Sequence, residues 1–130
     1  MTRTPPIGLF RAVVSVHTVA AFAQPALAGV YLSGNIDGLT WHARIADVVS
    51  YAGLAQVVLA VVVSARTRRR WPVAASALIV VAEFGQYVVG MNGLLWAHLP
   101  LGVTIVAALA VLFTVVWVRP PARALVGVDG

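Results

Sequence analysis

Four apolar runs, each about as long as a bilayer is thick, leave this chain few ways to fold. They lie at about residues 9–32, 40–64, 71–91 and 94–118, and roughly 20 predominantly apolar residues carry a helix across the hydrocarbon core. Inside lipid every backbone N–H and C=O must find its partner within the protein, so runs of this length become helices. The links carry turn chemistry. Ser33, Gly34 and Asn35 with Asp37 and Gly38 divide the first pair, and Asn92 with Gly93 joins the third run to the fourth. Pro72 stands where a helix start tolerates proline, and Pro120 with Pro121 closes the last run. The expectation is a single transmembrane domain over residues 1–130, an all-α, integral membrane four-helix up-down bundle.

Composition narrows the function classes. Hydrophobic residues make up 61% of the 130 and charged residues 10%, against about 25% charged in soluble domains, which excludes a disordered segment and an ordinary cytosolic enzyme. The absence of cysteine excludes a disulfide-stapled secreted module. Nine arginines outnumber four acids, but they do not form the cationic stripe that nucleic acid needs. Arg3 and Arg11 flank the first run, Arg66, Arg68, Arg69 and Arg70 sit between the second and third, and Arg119 and Arg123 follow the fourth. Only Arg44 falls on the other side of a four-span topology. The positive-inside rule then puts both termini in the cytoplasm and the chain in a cytoplasmic membrane of bacterial type, with lipid as its surroundings. Arg3 and Arg11 before an apolar stretch ending in Ala26-Leu27-Ala28 have the outline of a cleavable signal peptide. His17 and Gln24 interrupt that stretch, which is read here as the first span.

Polar side chains within a bilayer are costly and are functional candidates by default. Their depths follow from about 1.5 Å of rise per residue, counted from the nearest cytoplasmic arginine. His17 comes about 9 Å from Arg11 and Gln24 about 20 Å; Glu83 comes about 20 Å and Gln86 about 24 Å from Arg70. Gln56 is about 15 Å and His42 about 36 Å from Arg66, and His98 is about 32 Å from Arg119. His42 and His98 therefore share the outer level, on helices expected to face each other across a diagonal. Two imidazoles so placed can ligate one planar haem from both sides. Gly102 lies one turn below His98, and Val49, Gly53 and Gln56 continue the stripe that begins at His42. Small residues there would make room for a macrocycle. Arg44 is a candidate for a haem propionate, although it projects away from His42. The competing reading makes both histidines half-wet interfacial groups with ordinary hydrogen bonds.

The other polar groups divide in two. The third helix offers His17 no partner between residues 72 and 79, which argues against a second bis-histidine haem. His17 is expected to bond Gln56 or a backbone carbonyl, with a quinone or proton-relay role as the alternative. Glu83, with Gln86, Tyr87 and Gly90 on its face, is expected to bond Gln24 at the same depth or to relay protons. Arg44, Asp47 and Tyr51 form a polar face opposite His42, and Arg44 and Asp47 can pair locally. Such a face under lipid points to a homodimer or to membership of a larger membrane complex.

The segment Leu95-Trp96-Ala97-His98-Leu99-Pro100-Leu101-Gly102 resembles the haem-ligating helix of haem A synthases, and Trp41-His42-Ala43-Arg44 stands where their second-helix histidine falls. The chain as a whole is similar to one four-helix half of that pseudo-dimeric family. It is similar also to small uncharacterised four-helix membrane proteins. The resemblance implies haem binding. It does not extend to haem hydroxylation, because the glutamate that the synthases carry three residues before the histidine of their catalytic half is Leu39 here. The cysteine pair that some synthases place in an outer loop is absent too.

The reading that combines these is a membrane protein binding one b-type haem between His42 and His98, in electron transfer or as a small subunit of a redox complex. Filled axial positions favour electron transfer over oxygen chemistry, so an enzyme is not expected. The alternatives are a haem-free accessory or assembly subunit docked through Arg44, Asp47 and Tyr51, and a proton-coupled small-molecule transporter centred on Glu83.

Overall fold

The computed structural model describes residues 6–118. Arg3, Arg119, Arg123 and the Pro120-Pro121 stop lie outside these residues. Four helices follow one another: α1 (Pro6–Leu32), α2 (Asp37–Thr67), α3 (Trp71–Met91) and α4 (Leu95–Val118). All four are long and apolar enough to cross a membrane. Both α1 and α2 start three residues before the expected position. Pro6 fits a first helical turn, where its missing N–H has no bond to lose. Pro25 and Pro100 lie inside α1 and α4, where each removes one i→i−4 bond without ending its helix.

The links are short and chemically specified. Gly34 takes φ +95° and Gly93 φ +67°, the left-handed region that glycine enters without penalty. Asn35 Oδ1 accepts the Asp37 N–H at 3.0 Å, which starts α2. Arg68, with φ 54°, ends it. The Val73 N–H donates to Ser64 Oγ at 3.3 Å, fastening the start of α3 to the last turns of α2. At the opposite end, a Cβ on Gly38 would lie 2.5 Å from the Tyr31 nitrogen and 2.8 Å from the Leu27 carbonyl oxygen. Only glycine lets α2 begin this close to the end of α1.

Both α1 and α3 pack against α2 and against α4, so α1 faces α3, and α2 faces α4, across the diagonals. Between 11% and 33% of each candidate span is buried inside the bundle, and Val19, Phe22, Leu78, Phe84 and Val103 point outward. This is the distribution of a bundle solvated by lipid rather than by water.

Packing is uneven along the bundle. Phe10, Val14, Ala60, Val63, Ile79, Leu109, Leu112 and Val116 form a close core toward the Arg66–Arg70 end. Buried residues stop at Ala21 on α1 and Ile79 on α3, and begin at Ile105 on α4. On α2 they begin at Gly53, apart from the crossing residue Gly38. The other half, which holds His42 and His98, has few fully buried residues. Tryptophans mark both ends: Trp41 and Trp96 at one, Trp71 and Trp117 at the other. Trp96 and Trp117 are separated by about 31 Å of helix, close to the roughly 30 Å of a hydrocarbon core.

Candidate functional site

Reciprocal contacts tie α1 to α2 at the first histidine. Gln24 Nε2 donates to the His42 carbonyl at 3.2 Å, and His42 Nδ1 lies 3.1 Å from the Gln24 carbonyl. A carbonyl oxygen only accepts, so Nδ1 carries the proton and Nε2 of the neutral ring presents a lone pair. The second histidine repeats this on α3 and α4, where His98 Nδ1 donates to the Gln86 carbonyl at 3.1 Å. Gly90 makes the approach possible, since a Cβ there would stand 2.8 Å from both Cε1 and Nδ1 of His98.

The two rings meet across the α2–α4 diagonal with centroids 6.2 Å apart and planes inclined at 58°. A metal bound by two opposed imidazole nitrogens sits about 2.0–2.1 Å from each, and a ring nitrogen lies about 1.1 Å from its ring centre, so opposed ligands put the centroids about 6.3 Å apart. The observed 6.2 Å is close to that figure, and it is equally the spacing of two rings in direct contact. Nδ1–H bonded to a carbonyl, with Nε2 free, is also how a metal-binding histidine is commonly oriented. Among the described residues no group of three or more His, Cys, Asp or Glu side chains is placed to hold a metal ion. Two imidazoles alone do not complete an ion's ligand set, so a group held between them would have to bring donors of its own.

The neighbouring glycines serve other groups. A Cβ on Gly102 would lie 2.7 Å from Gln86 Nε2, and one on Gly53 would lie 2.7 Å from Glu83 Oε2 and 3.3 Å from His17 Cε1. The room that each leaves is thus taken by a polar side chain of the bundle, not by an open slot for a macrocycle. Arg44 is exposed on the far side of α2, its guanidinium 5.1 Å from the centre of the Trp41 ring. It does not pair with Asp47, because among the described residues the one ion pair joins His17 to Glu83.

That pair corrects one expectation. His17 is fully buried, with Nε2 2.6 Å from Glu83 Oε1 and Nδ1 3.0 Å from Gln56 Oε1. Gln56 Nε2 donates onward to Ser76 Oγ at 3.3 Å. The bond to Gln56 is as the sequence led one to expect, but Glu83 meets His17 rather than Gln24. The cause is the origin of the depth count. Arg11 lies inside α1, and its Nε donates to the Val116 carbonyl at 2.8 Å. Counted from the helix starts, His17 is about 17 Å from Pro6 and Glu83 about 18 Å from Trp71, the same level. Gln24, about 27 Å from Pro6, belongs to the level above.

His17 Nε2 and Glu83 Oε1 thus stand in close contact, each with no other polar partner among the described residues. Pairing a base with an acid is how a bundle interior tolerates ionisable groups. Both His17 nitrogens are engaged, leaving neither free for a quinone.

Sequence reasoning missed the two glutamine carbonyls that orient the histidines. A signal for the repeated arrangement was present: Gly38-Leu39-Thr40-Trp41 and Gly93-Leu94-Leu95-Trp96 open α2 and α4 in the same pattern, just before each histidine. Neither a family model, nor a curated protein, nor a solved structure matches the chain.

Proposed function

We propose that the chain is a multi-pass protein of the cytoplasmic membrane, with both termini cytoplasmic, that binds one b-type haem between His42 and His98 near the outer face. Its role is electron transfer, alone or as a small subunit of a membrane redox complex. The observation that carries this reading is the His42–His98 pair: centroids 6.2 Å apart, both Nδ1–H groups spent on backbone carbonyls, both Nε2 lone pairs uncommitted. The distribution of arginine adds to it, since under the positive-inside rule it favours an outer level for these residues.

Haem held there by His42 and His98 would supply a one-electron centre. The protein's part is orientation. Gln24 and Gln86 fix the ring tautomers and raise the basicity of Nε2. Gly90 sets how near His98 stands to α3, and the short links restrain α2 and α4 on the diagonal. Leu39, three residues before His42, offers no acid or base to a reaction on the macrocycle, which favours electron transfer over hydroxylation.

Titration of the haem-free protein with haemin tests the proposal. Saturation at one equivalent per chain is expected, with His42→Ala and His98→Ala each weakening binding strongly. A doubly substituted protein that bound haemin as tightly as the unaltered one would overturn it.

A further inference from the structure

Arg44, Asp47 and Tyr51 are not explained by the histidine site. His42 and Arg44 are two residues apart on a helix, about 200° around its axis, so this face turns away from the haem position. Asp47 lies about 9 Å along α2 from Trp41 and Tyr51 about 15 Å. Where Trp41 and Trp96 mark the interface, both polar groups belong to the depth of the hydrocarbon. Asp47 is exposed and Tyr51 is 73% exposed, and neither makes a hydrogen bond or ion pair among the described residues. A short carboxylate cannot snorkel to water as an arginine does, so facing lipid is costly for Asp47.

Beside this strip runs a shallow groove between α1 and α2, lined by Ala12, Val16, Val48, Tyr51, Ala52 and Ala55. Its small side chains would let another helix backbone come close, the usual basis of helix association in lipid.

We infer that a second copy of this chain docks on the α1–α2 face, with each Arg44 reaching the Asp47 of the other copy. The pattern of charge selects this occupant. In a two-fold assembly each contact occurs twice, residue i meeting j of the partner while j meets i. Arg44 and Asp47 stand about 60° apart around α2, on the two sides of this face, so a two-fold axis parallel to the helix brings the Arg44 side of each copy against the Asp47 side of the other. A lipid phosphate would satisfy Arg44 but repel Asp47. A two-fold axis along the membrane normal also leaves the arginine-rich ends of both copies on one side, as a common insertion requires. This inference does not depend on haem, since the docking face lies opposite His42.

The chain contains no cysteine, so single introduced cysteines report the contact without background. In lipid nanodiscs, Tyr51→Cys is expected to form an inter-chain disulfide, whereas Val103→Cys, exposed on α4, does not. Arg44→Asp or Asp47→Arg added to Tyr51→Cys should each reduce the cross-linked fraction at least tenfold, and the two together should restore it. Helical circular dichroism confirms that each variant is folded. Particles holding one chain each, charge reversals without effect, cross-linking equal at Val103→Cys, or a different protein occupying this face would each overturn the inference.

Discussion

Replacing Gly90 by alanine gives the most discriminating perturbation of the histidine site. The added methyl would stand 2.8 Å from Cε1 and Nδ1 of His98. Ordinary contact begins near 3.5 Å, so the ring must retreat from α3 by about 0.7 Å. The bond that orients it runs to the Gln86 carbonyl on the same helix and is already 3.1 Å long. A retreat of that size stretches it toward about 3.8 Å, beyond the range of a hydrogen bond. Loss of such an orienting partner typically costs 10–100-fold in metal affinity, which is about 1.4–2.7 kcal/mol. Stability should hardly change, because the lost bond, about 0.5–1.5 kcal/mol, is offset by the roughly 0.5–1 kcal/mol that alanine gains over glycine within a helix. Haemin titration of Gly90→Ala should therefore show a 10–100-fold higher Kd with nearly unchanged thermal unfolding in detergent. Gly85→Ala is the control, since its Cβ would meet only Leu101 Cδ2 at 3.8 Å, and its affinity should stay at the unaltered value. Equal Kd values for Gly90→Ala and the unaltered protein would refute the reasoning.

Two further outcomes follow from the buried pair and from the helix crossing. Glu83→Gln can still donate to His17 Nε2 and should stay within about 1 kcal/mol of the unaltered stability, while Glu83→Leu leaves that nitrogen without a partner and should cost about 1–3 kcal/mol; denaturant unfolding in mixed micelles measures both. Gly38→Ala places a carbon 2.5 Å from a backbone nitrogen that cannot turn aside, so a loss of about 3 kcal/mol, at the upper end for overpacking, is expected in the same assay.

Helix count, up-down order and the diagonal placement of α2 and α4 were legible because run length, turn residues and short links each constrain topology independently. The matched depth of His42 and His98 was legible too. Both were counted along helices from arginines near a helix end, Arg66 in the last turn of α2 and Arg119 just past Val118. The same count failed on α1 because Arg11 lies more than a turn inside Pro6–Leu32, its long side chain bonding the Val116 carbonyl. That error separated His17 from Glu83 and matched Gln24 to the wrong level. The orienting roles of Gln24 and Gln86 were hidden for another reason. Toward the histidines each acts through its backbone carbonyl, and a carbonyl is the same at every position of a sequence. The glycines show a third limit. Spacing reveals that a small residue faces the bundle, but not whether the space beside it is held by Glu83, by Gln86 or by a ligand.

The central claim is tested most directly by the absorption spectrum of the protein purified from its membrane, oxidised and after dithionite. A Soret band that shifts on reduction, with the sharp visible bands of a six-coordinate low-spin haem lost in His42→Ala and in His98→Ala, is the predicted result. A protein with no Soret band, or one whose band is unchanged when both histidines are replaced, would contradict the account.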